Sequence, residues 1–218
     1  MSASVFVVLS GPPRRLLRKR KLRAGMITLT PAPALSSIDQ AVEISTVPID
    51  AMSALRHLHA SSARRLAAGM LSDAEINAFV QHVYSSGYST RLADVVVADR
   101  MVAARMNDEL VGSAGWLPAN DSGSTARLIG VFVSPLYARL GIGRRVVQTA
   151  EGHARRAGFS TFTIRAPLGS SDFFEHIGYH AASHGVWPLT RDVALPVAFL
   201  RKVDPPPSGV VVQLRGAN

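Results

Sequence analysis

The residues whose types and spacing most clearly allow chemistry are Gly141 and Gly143. An apolar run, Leu128-Ile-Gly-Val-Phe-Val, ends at Ser134-Pro135; Leu136 to Leu140 follow as a short loop, and Gly141-Ile142-Gly143 then opens an amphipathic segment. A strand, a loop and a glycine-started helix together form a place for a pyrophosphate. The first N–H groups of a helix have no partner within it, and they stand at the positive end of its dipole. Glycine lets a phosphate approach the backbone with no Cβ in the way.

Two common nucleotide loops are excluded by the residues themselves. A Walker loop needs Gly-Lys-Ser/Thr, but Gly143 is followed by Arg144 and Arg145. The dinucleotide fingerprint needs a third glycine where Val146 stands. It also needs an acidic residue about 20 positions further on, where Thr163 stands.

The run resembles motif A of the GNAT superfamily of N-acetyltransferases, in which a strand reading Val-x-Pro leads to Gln/Arg-x-x-Gly-x-Gly/Ala at the head of a helix. Val133 and Pro135 match the first part, and Gly141 and Gly143 match the second at the family's spacing; Ala138 replaces the Gln or Arg. A second stretch, Phe173-Phe174-Glu175-His176-Ile177-Gly178-Tyr179, is similar to the family's Phe-Tyr-Glu-x-x-Gly-Phe pattern, with Phe174 in place of the tyrosine that often serves as general acid.

The resemblance implies transfer of an acetyl group from acetyl-CoA, as co-substrate, directly to a primary amine of a small molecule or peptide. It assigns cofactor binding to Val131, Phe132 and Val133 on the strand, and to Arg139, Leu140, Gly141, Ile142, Gly143 and Arg144 at the loop. The catalytic groups stay unassigned, since phenylalanine cannot donate a proton. His176, Ser170 and Ser171 lie nearby as candidates, although His176 also fits a surface helix position and Ser170 a helix cap. No acid falls within Thr125–Val133; Asp108 and Glu109 belong to a predicted turn, and Trp116 fits the core better than an acceptor pocket. The resemblance also places His82 and Tyr84 where such proteins close over acceptors. Cysteine is absent, in agreement with direct transfer rather than a cysteine acyl-enzyme, and no His/Asp/Glu cluster has metal-ligand spacing, so no metal is expected.

Elements that could position these residues can be read along the chain. Ala41-Val-Glu-Ile-Ser-Thr-Val alternates as a first strand, and Asp50 is expected to cap a helix through about Leu66. Ser72 with Glu75 resembles a capping box opening a second helix that ends at Ser85-Ser-Gly. A hairpin is predicted over Met101–Leu117 with its turn at Asn107-Asp108, then a strand over Thr125–Val133. Ile142, Val146, Ala150 and Ala154 make the apolar stripe of the helix after the loop, with Glu151 and Arg155 among the polar residues on the other side. A strand near Phe159–Arg165 completes a parallel βαβ unit; a short helix from Ser170 and two strands follow, the last over Val193–Val203. The fold class expected is α+β: a mixed, mostly antiparallel twisted sheet with helices on both faces and a parallel βαβ at the acyl-CoA site.

The predicted domain is 41–203, flanked by a basic, disordered extension and linker over 1–40 and a tail over 204–218. The chain has 24 bases and 15 acids, but seven bases and no acid lie within residues 1–25. Without them 17 bases face 15 acids, so the basicity belongs to the arm, and the folded part has little of the charge that nucleic-acid binding requires. The arm could also be an untranslated stretch preceding a start at Met26. No apolar run is long enough to span a membrane, and the lack of cysteine fits a cytoplasmic protein. Alternatives are a catalytically weak acyl-CoA-binding or regulatory domain of the same fold, or a nucleic-acid-binding protein acting through the arm. A homodimer is possible, being common in the family resembled.

Overall fold

The computed structural model describes residues 42–66, 71–119 and 123–205. The predicted extension, and the predicted tail beyond residue 205, lie outside the described residues. Those described form one seven-stranded sheet with five α-helices. In chain order the elements are β1 (Glu43–Thr46), α1 (Met52–Leu66), α2 (Asp73–Tyr84), α3 (Ser86–Val97), β2 (Met101–Met106), β3 (Glu109–Pro118), β4 (Thr125–Val133), α4 (Ile142–Arg156), β5 (Thr161–Pro167), α5 (Ser171–His176), β6 (His180–Pro188) and β7 (Ala194–Val203).

The strand order is β1-β2-β3-β4-β5-β7-β6. Every neighbouring pair is antiparallel except β4 and β5, which the α4 crossover makes parallel. The mixed sheet and the βαβ unit agree with the sequence reading. Helices cover both faces. A Cβ at Gly112 would lie 2.8 Å from Ile142 Cγ2, which places α4 on one face of β3, whereas Ser113 meets His59 of α1 on the other. The apolar stripe of α4 (Ile142, Val146, Val147, Ala150 and Ala154) is buried against this sheet.

Three local expectations need correction. Asp50 does not cap α1; it lies within a 3₁₀ turn, Ile49–Ala51, and the α-helix starts at Met52. Between α2 and β2 there is a further helix, α3, where no element is predicted. Its Val95-Val96-Val97 run disfavours helix locally, but Ser85 caps it and Tyr88, Leu92, Val95 and Val96 bury one side, so tertiary packing outweighs propensity. Finally, Glu151 is not on a solvated face of α4. It is 1% exposed and is held by Lys202 Nζ at 2.8 Å, Tyr179 Oη at 2.8 Å and Arg155 Nη2 at 2.9 Å. The capping box at the head of α2 forms as read, with both Ser72 and Glu75 side chains engaged.

Two features shape the middle of the sheet. The pairing of β3 with β4 slips between Ser113 and Gly115, so three steps of β4 (Ile129 to Phe132) oppose two of β3. Gly130 sits in this bulge at φ +58°, and a Cβ there would stand 3.0 Å from Met101 Cε and 3.4 Å from His59 Cε1. The second feature is that β5 pairs with β4 only from Thr125↔Thr161 to Arg127↔Thr163. Beyond that point β5 stays with β7 as far as Pro167↔Val197, and a gap opens beside β4.

Candidate active site

Among the described residues the pairing of β4 with β5 ends at Arg127↔Thr163, before the stretch from Leu128 to Val133. Backbone donors and acceptors along an open strand edge accept an extended ligand as they would another strand. At its end Ser134 N–H donates to the Val111 carbonyl, and Pro135–Tyr137 makes a 3₁₀ turn. Arg139 follows at φ +69° and Gly141 at φ +79°. The first bond of α4 runs from Arg145 N–H to the Gly141 carbonyl, which leaves Ile142, Gly143 and Arg144 N–H without partners inside the helix. A Cβ at Gly141 would project into space with no atom within 4 Å. The loop thus offers open backbone donors, a helix dipole and two exposed guanidinium side chains, Arg139 and Arg144, on the chemistry a diphosphate requires. Arg145 turns the other way and donates to the Val42 carbonyl at 3.0 Å. Val131, Phe132, Val133 and Ile142 are buried, and Leu140 is half-buried behind the loop.

Between β4 and the helices α1 to α3 lies a group of aromatic and titratable side chains that sequence reasoning largely missed. His59, fully buried, stacks on Phe132 with ring centroids 4.1 Å apart. Its Nδ1 lies 2.8 Å from Tyr88 Oη and its Nε2 lies 3.0 Å from Ser113 Oγ, whose hydroxyl donates to the Gly130 carbonyl at 2.7 Å. Burial drives the His59 pKa down to about 3, so the ring is neutral and carries one proton. The Ser113 proton is committed to Gly130, so His59 Nε2 is the donor to Ser113 and Nδ1 accepts from Tyr88. Burial also raises the Tyr88 phenol, keeping its proton in place.

Beside this chain, His82 lies edge-on to Tyr88 at 5.3 Å and to Trp187 at 5.0 Å. Burial first, then the charges of Arg91 and Arg165, lower the His82 pKa to about 4. The Arg165 guanidinium lies 4.8 Å from the Trp187 ring, and its own pKa is lowered to about 10 by burial and by Arg127 and Arg91. His82 and Arg165 therefore both stand in the field of neighbouring guanidinium groups. Tyr84 points outward, 47% exposed, with Arg56 over its ring.

The predicted catalytic candidates lie on or just before α5. His176 is exposed, its ring bonded to the Asp172 carbonyl one turn back. Ser170 is buried at the cap position without a side-chain capping bond, and Ser171 Oγ is buried with no hydrogen-bond partner. Phe174 is fully buried, edge-on to Tyr179 at 5.5 Å. Trp116 is a core residue with Arg100 over its ring, as its sequence context favours. A separate groove of about 810 Å³ runs between α1 and Ser134–Leu136; its lining includes His57, Arg64 and Glu109 but no residue of the gap. Among the described residues no group of three or more His, Asp or Glu could hold a metal ion, and no helix is long and apolar enough to cross a membrane.

The family profile of the acetyltransferase (GNAT) domain matches residues 67–186. No curated protein matches the chain in sequence. Among solved structures the chain is similar to the PaiA N-acetyltransferase of Thermoplasma acidophilum in complex with coenzyme A, with 17% identity and a TM-score of 0.59 over 74% of this chain and 98% of that one. It is similar to a GCN5-related N-acetyltransferase of Rhodopseudomonas palustris, with 17% identity and a TM-score of 0.60 over 83% and 99%. The YncA protein of Salmonella typhimurium, solved with its cofactor acetyl-CoA, gives 13% identity and a TM-score of 0.54 over 78% and 97%. At these identities the likeness is one of fold.

Proposed function

Because this chain belongs to the GNAT family of acetyltransferases, we propose that it moves an acetyl group from acetyl-CoA directly to a primary amine. The observation that carries the reading is that β4 runs past the end of its pairing with β5 at Arg127↔Thr163 and leads straight to the head of α4, whose first N–H groups have no partner inside the helix. In this reading the backbones of Val131, Phe132 and Val133 hold the pantetheine arm. The backbone from Arg139 through Leu140, Gly141, Ile142 and Gly143 to Arg144 holds the pyrophosphate, with Arg139 and Arg144 adding charge.

The thioester supplies an activated acyl carbon: the amine nitrogen bonds to it, the carbon–sulfur bond breaks, and the proton lost from nitrogen ends on the thiolate, giving amide and free CoA. What the chain contributes is alignment and control of the amine's proton. Nucleophilic attack needs a neutral amine, and β4 carries no carboxylate base. The field of Arg91 and Arg165 that helps lower His82 to about 4 acts in the same sense on an ammonium bound beside it, favouring the free amine. His82, neutral above that pH, can accept a hydrogen bond from the bound amine at a ring nitrogen and so orient it. Ser170, Ser171 and His176 remain as candidates for returning a proton to sulfur.

A second reading, an acyl-CoA-binding domain with weak turnover, is favoured by one observation. Phe174 occupies the position of the family's tyrosine and is fully buried. Calorimetric titration of acetyl-CoA into the full chain, beside a Gly141→Glu variant, tests what both readings share: binding that the variant loses. CoA release with a panel of primary amines then separates them. Stoichiometric acetylated product is the expected result, and acetyl-CoA binding without product from any amine would leave the binding-domain reading.

A further inference from the structure

The buried polar chain across α3, α1 and β3 has no place in the steps above, and polar groups are seldom buried so completely without a positional role. We propose that Tyr88, His59 and Ser113 act as positioning residues that orient the Gly130–Val131 peptide, so that the Val131 N–H donates to the acyl carbonyl of bound acetyl-CoA. The inference rests on the acetyl-CoA reading above and deepens it.

Three observations carry the inference. First, the Gly130 carbonyl is held by Ser113 Oγ at 2.7 Å, and Ser113 belongs to β3. The described residues contain no cis peptide, and in a trans peptide the N–H points opposite to the C=O. The Val131 N–H therefore points away from Ser113, Val131 has no register partner on β3, and the other side of β4 here is the one that β5 leaves after Arg127↔Thr163. Second, Gly130 lies at φ +58° within the bulge, and glycine enters either sign of φ with similar ease. Between the flanking pairs Gly115↔Ile129 and Ser113↔Phe132 no ladder partner holds this peptide, and the bond from Ser113 Oγ is the one that fixes its carbonyl.

Third, a lone serine hydroxyl could rotate among several acceptors. Here the Gly130 carbonyl can only accept and so takes the serine proton, and the hydroxyl is further held by His59 Nε2–H at 3.0 Å on its lone pair. His59 can be a donor at Nε2 because Nδ1 receives the Tyr88 hydroxyl at 2.8 Å, and its ring plane is set by the stack on Phe132 at 4.1 Å. All donors run one way, from Tyr88 to His59 to Ser113 to the Gly130 carbonyl. A donor already aimed at the position where negative charge develops on oxygen is worth about 10²–10³ in turnover.

The test is isotope-edited infrared spectroscopy of acetyl-CoA labelled with ¹³C at the thioester carbonyl, bound to the full chain. The expected result is a carbonyl stretch at lower frequency in the wild-type complex than in water. It should return toward the unbound value in Ser113→Ala and in His59→Leu, while calorimetric affinity for acetyl-CoA changes less than about fivefold, since the phosphate contacts are untouched. His59→Gln, whose amide can accept from Tyr88 and donate to Ser113, should recover the low frequency. Should His59→Leu fail to fold, Ser113→Ala and Tyr88→Phe supply the comparison. An identical stretch in wild type and in the Ser113→Ala complex would overturn the proposal and leave the transferase reading standing. Failure of the folded wild-type chain to bind acetyl-CoA would overturn both.

Discussion

His59 is a neutral ring sealed in the core, and that has a cost that depends on pH. Unfolded, it binds a proton below about 6.5; folded, it does not until about pH 3, and His82 does not until about pH 4. Across that window the unfolded state holds more protons than the native state, so stability falls as pH falls. For His59 alone the loss reaches about 4–5 kcal/mol by pH 3, at about 1.4 kcal/mol per unit. Denaturant midpoints between pH 7 and pH 3.5 should show this decline, and His59→Gln, which cannot titrate, should flatten it. Neither His59 nor its partners were legible in the sequence: Tyr88 is 29 residues away, Ser113 is 54, and nothing local distinguishes His59 from its neighbour His57. By contrast, Gly141 and Gly143 were legible because strand, proline, loop and helix follow each other without a gap in the chain.

The helix α4 illustrates how far an element can be read from its own pattern. Its apolar stripe and its end at Gly158 follow from spacing alone, and the structure reproduces both. The same pattern placed Glu151 among the solvated residues, because its principal partner, Lys202, is 51 residues later on β7. That carboxylate is 1% exposed, and it is tolerated only because Lys202, Tyr179 and Arg155 surround it. Lys202→Met should therefore cost about 3 kcal/mol in chemical denaturation, the range for breaking a buried ion pair from one side. Acetyl-CoA affinity of the folded variant should be unchanged, since Glu151 lies about 14 Å along the helix from Ile142 at 1.5 Å per residue. The helix α3 was illegible for the opposite reason: its valines argue for extended chain, and only the burial of Tyr88, Leu92, Val95 and Val96 makes it helical.

At the scale of the molecule, the sheet consists of two leaves, β1 to β4 and β5 to β7, joined strand to strand by three residue pairs, Thr125↔Thr161, Ala126↔Phe162 and Arg127↔Thr163. Mixed topology and the parallel pair could be read from the order of elements; how soon the two strands part could not, since nothing in β4 or β5 alone says where pairing stops. If an extended ligand pairs with β4 beyond Arg127↔Thr163, amide protons of Leu128–Val133 that face the gap should exchange more slowly with deuterium in its presence, and amides on the outer edge strand β6 should not. Three rungs and the α4 crossover are what join the leaves, and past the third rung each leaf presents its own edge to the opening. A ligand lying along that opening would complete a sheet whose own pairing stops at Arg127↔Thr163, so the molecule's largest layer would be finished by the compound it binds rather than by its own chain.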